Sequence, residues 1–234
     1  PVEAKCHIGF LPQQPPLHPD LTVEEYLDYS ARLRYIPHKE IPAAITEVVE
    51  KCGISHFRKR LIRNLSGGYQ QRVGIAQAII HNPDFIILDE PTNGLDPNQI
   101  VEIRNLIKQI AQERTVILST HILPEVQATC EYIYMVEKGK MVFSGTVDEF
   151  DNYILPTTIR VTLLAHPTVE ELTMIPGLVA AQHLGEMDYR LQFADARNMV
   201  DEIIETCGIH NWRLSQIYME KSSLDVVFAE LSKK

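Results

Sequence analysis

Two short apolar runs constrain this chain more than any other feature. Phe85-Ile86-Ile87-Leu88 is followed at once by Asp89-Glu90, and Thr115-Val116-Ile117-Leu118-Ser119-Thr120 is followed by His121. Unbroken apolar runs of this length suit central strands of a parallel sheet covered on both faces. Open α/β sheets bind ligands outside the carboxyl ends of their strands, which is where these acids and this histidine are predicted to stand. One carboxylate there can help hold Mg²⁺, usually through water. The other can orient or deprotonate an attacking water. The competing reading is two solvated acids in a turn before Pro91; it fits a lone Asp-Glu better than one that ends an apolar run. A histidine at the end of the neighbouring strand is a reasonable phosphate contact, although a lone histidine is more often structural.

Upstream, Leu65-Ser66-Gly67-Gly68-Tyr69-Gln70-Gln71-Arg72 leads into a helical pattern (Val73, Ile75, Ala76, Ala78, Ile79, Ile80) that stops at Asn82-Pro83, because proline cannot continue a helix. A serine hydroxyl and two glycine N–H groups at a helix start favour an anion. Taken alone, the same residues read more readily as an ordinary serine N-cap beside a flexible loop. Gly94-Leu95-Asp96 follows the acids, and a further helix is expected over 99–112, with Ile100, Ile103, Leu106, Ile107 and Ile110 as core contacts.

Taken in order, LSGG…QR, apolar run-Asp-Glu-Pro, Gly-Leu-Asp and Ser-Thr-His resemble the nucleotide-binding domain of ABC (ATP-binding cassette) proteins. The resemblance implies an α/β, P-loop NTPase-like fold. It makes Ser66, Gly67 and Gly68 the signature motif, Asp89 the metal-supporting end of the Walker B strand, Glu90 the catalytic carboxylate, Asp96 a D-loop residue and His121 the switch histidine. Tyr69 departs from the pattern, standing where the commonest signature has glutamine. Ile8-Gly9-Phe10-Leu11-Pro12-Gln13 resembles the segment leading into the Q-loop, so Gln13 is the expected contact to metal and γ-phosphate, with Gln14 in reserve. The implied cofactors are ATP and Mg²⁺. The implied partners are a membrane-spanning permease subunit and a second, identical ATP-binding subunit, at the inner face of the cell membrane.

Thr22 and Glu25 have capping-box spacing at the start of a helical region spanning about 20–65 in the resemblance, and a second helix is expected from about Ile41 to Cys52. A strand is expected over 132–136, a hairpin turn over 137–140 and its return strand over 141–144, and Gly145-Thr146-Val147-Asp148-Glu149-Phe150 resembles the usual end of such a domain, giving an ABC domain over 1–155. Beyond Pro156 the pattern becomes β-α-β-β-α-β with a trailing helix over 223–231. That predicts a small α+β module of ferredoxin-like type over 156–234. The signature with its helix, and the closing Ser223-Leu224-Asp225-Val226-Val227-Phe228, look like ABC-2-type exporter ATPases, similar to gliding-motility-associated ATP-binding subunits of Bacteroidetes.

Composition closes other routes. The net charge of −9 disfavours generic nucleic-acid binding, and Arg58-Lys59-Arg60 with Arg63 reads as a solvated helix end. Cys6, Cys52, Cys130 and Cys207 form no CxxC pair, which argues against a zinc site or a disulfide framework. No uninterrupted apolar run reaches the length of a membrane span. No G-x-x-x-x-G-K-[ST] run occurs in the 234 residues, although the family holds phosphates with one. Under the resemblance, that implies an amino-terminally truncated domain, inactive and poorly stable by itself. The alternative is a partner that donates only its signature face to a subunit owning the P-loop.

Overall fold

The computed structural model describes residues 2–151, 153, 157–194 and 198–220. The chain divides between Cys130 and Glu131 into two compact units.

The first unit runs α1 (Val2–Cys6), β1 (Ile8–Leu11), α2 (Val23–Leu33), α3 (Ile41–Lys51), α4 (Gly67–Ile79), β2 (Phe85–Asp89), α5 (Pro97–Ala111), β3 (Thr115–Ser119) and α6 (Leu123–Thr129). Strands β1, β2 and β3 form a parallel sheet in that order, with Leu11 beside Leu88, Leu88 beside Leu118, and Asp89 beside Ser119. The apolar run 85–88 is therefore the central strand, as its composition predicts.

The expectation that both faces are covered needs correction. Leu11, Ile86 and Leu88 point into one core with Val73, Ile75, Ala76 and Ala78 of α4 and Ile103, Leu106, Ile107 and Ile110 of α5. On the opposite face, Phe10 is 45% exposed, Phe85 49% and Ile117 53%. The pleat sends alternate residues to opposite faces, and among the described residues only one of those faces is covered.

Two glycines set how α4 lies on β1. A Cβ on Gly9 would run into the Ala78 carbonyl oxygen, and one on Gly74 would stand 2.7 Å from Leu11 Cδ1 and 3.0 Å from Pro15 Cβ. Helix backbone thus meets strand and following loop directly, so the carboxyl-terminal half of α4 packs on β1 and Pro15. In the helical part, Thr22 caps α2 through the full capping box: its N–H donates to Glu25 Oε2 at 2.8 Å and its Oγ1 accepts from the Glu25 N–H at 3.2 Å. Tyr26, Leu27, Ile45, Val48 and Val49 join the same core.

The second unit opens with a hairpin, β4 (Tyr132–Glu137) and β5 (Lys140–Thr146), then α7 (Val147–Asp151). Lys138 (φ 47) and Gly139 (φ 76) supply the two left-handed residues that a tight hairpin turn requires. Next come β6 (Thr158–Leu163), α8 (Val169–Leu172), β7 (Leu178–Gly185), β8 (Asp188–Phe193), α9 (Met199–Ile209) and β9 (Leu214–Glu220). The four strands pair antiparallel in the order β7-β8-β6-β9. Ile159, Val161, Leu163, Tyr189, Leu191 and Phe193 form a core with Leu172, Ile203 and Cys207 from the two helices. Trp212 is buried just ahead of β9, and Arg213 between them has a φ of 52. Pro156 and the helix expected over 223–231 lie outside the described residues. Among the described residues, no helix is long and apolar enough to cross a membrane.

Candidate functional site at the carboxyl edge of the parallel sheet

Asp89 ends β2, and Glu90 follows it out of the sheet. The Glu90 N–H still donates to Ser119 O at 2.8 Å, but its φ of 46 is left-handed, a conformation that costs a non-glycine residue about 1–2 kcal/mol. Such strain concentrates where a side chain must be aimed. What it aims is the carboxylate: Oε1 accepts from the His121 backbone N–H at 3.0 Å and lies 2.6 Å from His121 Nδ1, and Oε2 accepts from Thr120 Oγ1 at 3.3 Å. The Glu90 side chain is 14% exposed and the imidazole 75%. The largely buried carboxylate is thus held at the carboxyl end of the sheet by the residues that end the neighbouring strand.

Gln13 lies two residues beyond β1, exposed in a bend at the same edge. The parallel register thus brings Gln13, Asp89, Glu90 and His121 to one end of three adjacent strands. The donors suit Mg²⁺: a carboxylate and an amide carbonyl are hard oxygen ligands, and Mg²⁺ normally takes one or two carboxylates plus phosphate and water. The described residues contain no cluster of three or more His, Cys, Asp or Glu able to cage a metal by themselves.

Ser66, Gly67 and Gly68 occupy the start of α4. Ser66 is at the N-cap position, and its side chain makes no capping hydrogen bond. The first N–H groups of a helix have no intrahelical partner. Ser66 and Gly67 are exposed, and a Cβ on Gly67 would meet only Leu95 Cδ2 at 3.9 Å. The open hydroxyl and N–H groups suit an anion. Gly68 differs: it is buried, and a Cβ there would fall 2.6 Å from Gln99 Cδ of α5, so its small size serves internal packing. Asp96 is an N-cap, its Oδ1 accepting from Asn98 N and Gln99 N at 3.0 Å each.

The residues that follow make contacts within the unit. Tyr69 packs edge-on against Phe57 with ring centroids 4.4 Å apart. Gln70 Nε2 donates to the Ile62 and Leu65 carbonyls at 3.3 and 3.1 Å. Arg72 donates to Cys52 O at 2.9 Å and to Glu102 Oε2 at 2.6 Å. The capping role of Asp96 was readable in Asp96-Pro97, an N-cap acid before an N1 proline. The Thr120 hydroxyl had no signal in sequence, since only the strand register brings it to Glu90.

Known proteins resemble this chain over much of its length. Residues 2–93 match the family described as ABC transporter. An uncharacterized ABC transporter ATP-binding protein, YhcH of Bacillus subtilis (strain 168), is 31% identical over 97% of this chain and 72% of its own length. The bacitracin transport ATP-binding protein BcrA of Bacillus licheniformis is 41% identical over 58% of this chain and 44% of its own. Among solved structures, cbiO1 from Clostridium perfringens, part of the ABC transporter complex cbiONQ, matches with a TM-score of 0.57 and 30% identity, covering 62% of this chain and 59% of that one. The chain spans only about half the length of several curated relatives, 44% to 61% of it. On the matches together, the chain belongs to the family of ABC transporter ATP-binding proteins.

Proposed function

We propose that this chain carries the hydrolytic edge and the signature face of an ATP-hydrolysing exporter subunit. It works with a separate membrane-spanning permease subunit and a second copy of itself, at the inner face of the cell membrane. The observation that carries the reading is the Glu90 carboxylate, held by Thr120 and His121 at the carboxyl end of the central strand. That arrangement serves proton abstraction from a water. It also favours hydrolysis over a signature-donating role alone, which would make no use of an organised Glu90.

In this reading Asp89 and Gln13 hold Mg²⁺, which when bound neutralises charge on the phosphates. Glu90 orients the attacking water and takes its proton. His121, tethered through Nδ1, leaves its other ring nitrogen free to reach the phosphate. Ser66 and Gly67, with the N–H of Gly68, receive the phosphates bound by the opposite subunit, and Asp96 keeps the start of α5 formed beside them. No G-x-x-x-x-G-K-[ST] run occurs in these 234 residues. The strand order β7-β8-β6-β9 within a β-α-β-β-α-β sequence supports the ferredoxin-like reading of the carboxy-terminal module, which we assign to regulation or dimer support. The likeness to gliding-motility-associated and ABC-2-type subunits rests partly on residues 223–228, outside the described residues.

The test is ATP turnover by the full-length gene product carrying Glu90→Gln. General-base loss predicts a fall of about 10²–10⁴-fold with ATP binding retained. Turnover within a few-fold of wild type would remove Glu90 from the role.

A further inference from the structure

Glu125 is the one buried carboxylate among the described residues. Its side chain is 4% exposed, and Arg104 grips it as a fork, Nε to Oε2 at 2.7 Å and Nη2 to Oε1 at 2.6 Å. Arg104 is on α5 and Glu125 on α6, which begins two residues after His121. Burying an ion pair is a poor route to stability, since desolvation consumes most of the attraction. What a forked pair does provide is a fixed mutual orientation.

The two helices joined this way lead to the two halves of the site. Along α5, Asp96 caps the start, Gln99 fills the space beside Gly68, and Glu102 binds Arg72 of α4. At the head of α6, the Glu125 N–H bonds Ile122 O at 2.9 Å and the Ile122 N–H bonds Thr120 Oγ1 at 3.1 Å. Thr120 and His121 in turn hold Glu90. An unbroken set of contacts therefore runs from the signature start, through α5 and the buried pair, to the catalytic carboxylate.

We infer that Arg104 and Glu125 are positioning residues for hydrolysis: their pair locks α6 against α5, so that His121 keeps its place on Glu90 and follows any displacement of the signature start. This rests on the hydrolytic reading of Glu90. The experiment measures kcat, KM for ATP and thermal midpoint in the full-length gene product for Arg104→Met/Glu125→Leu, Arg104→Lys and Glu90→Gln. The apolar double variant leaves no unpaired buried charge but provides no directional lock. We expect its midpoint to stay within a few degrees of wild type, its kcat to fall at least tenfold, and its KM for ATP to hold within twofold. Arg104→Lys keeps the charge without the fork, and we expect a smaller kcat loss at an unchanged midpoint. If the double variant does not fold, Arg104→Lys decides the matter. A kcat within twofold of wild type in a folded double variant, or in Arg104→Lys when the double variant fails, overturns the inference. Loss of turnover in Glu90→Gln beside an unaffected pair variant would leave the hydrolytic reading standing and remove only the positioning role.

Discussion

Gly74→Ala tests the packing that holds α4 against β1 and the loop at Pro15. In an open helix interior, Gly→Ala gains about 1 kcal/mol. At position 74 the new methyl would stand 2.7 Å from Leu11 Cδ1, 3.0 Å from Pro15 Cβ and 3.2 Å from Pro15 Cγ, against the roughly 3.5–4.0 Å of a relaxed carbon contact. Neither neighbour yields easily. Leu11 is fully buried on a strand paired to Leu88, and Pro15 is a rigid ring. Overpacking of this size costs about 1–3 kcal/mol, so the net change should run from about zero to a loss of about 2 kcal/mol. Gly208→Ala on α9 is the internal control: nothing lies within 4 Å of its Cβ position, and a gain of up to about 1 kcal/mol is expected. Urea unfolding, with the transition of each unit followed separately, reads both. Stabilisation by Gly74→Ala equal to that of Gly208→Ala would refute the close approach of α4 to β1 and Pro15.

Three further outcomes follow from single residues. Burial, with Arg34 adding to it, pushes the His81 pKa from 6.5 down to about 4, while Nε2 bonds Ile8 O; the fold favours the neutral ring, so its contribution is complete above pH 6.5 and is lost as pH falls through 6.5 and on through about 4. Acid titration of thermal stability should therefore show a shallower loss across that window in His81→Gln than in wild type; identical slopes would contradict it. Tyr69→Gln removes the edge-on contact with Phe57, so it should lower stability by about 1 kcal/mol with ATP turnover within twofold; a large loss of turnover would show that Tyr69 touches the reaction. Asp96→Ala removes the α5 cap and should cost about 0.5–2 kcal/mol in chemical denaturation, with no change counting against the capping role.

The central strand, the acids that end it and the helix behind Ser66 were legible because each is a local pattern: an unbroken apolar run, a strand terminus, a 3.6-residue period stopped by proline. The Thr22–Glu25 capping box was legible for the same reason, being written within four residues. What escaped the sequence depends on register or on close approach. Thr120 reaches Glu90 only because Asp89 pairs with Ser119. Gly68 looks like a ligand glycine in sequence, and only the position of Gln99 shows that its missing side chain accommodates α5. The Arg104–Glu125 pair joins residues 21 positions apart on two helices whose periodicity says nothing about mutual orientation. The apolar run 85–88 predicted two covered faces, yet Phe85 is half exposed; composition states what a strand can bury, and only its neighbours decide what is buried.

The central claim is that the Glu90 edge of one subunit and the Ser66–Gly67 face of another close on the same nucleotide. Sedimentation of the full-length Glu90→Gln product with ATP and Mg²⁺ tests it most directly, with and without Gly67→Glu. Gly67 is exposed and a Cβ there makes only an ordinary contact with Leu95, so the added carboxylate leaves the fold intact and opposes phosphate at the helix start. The account predicts a dimer with ATP for Glu90→Gln and a monomer once Gly67→Glu is added. A monomer in both cases, or a dimer indifferent to Gly67→Glu, would contradict it.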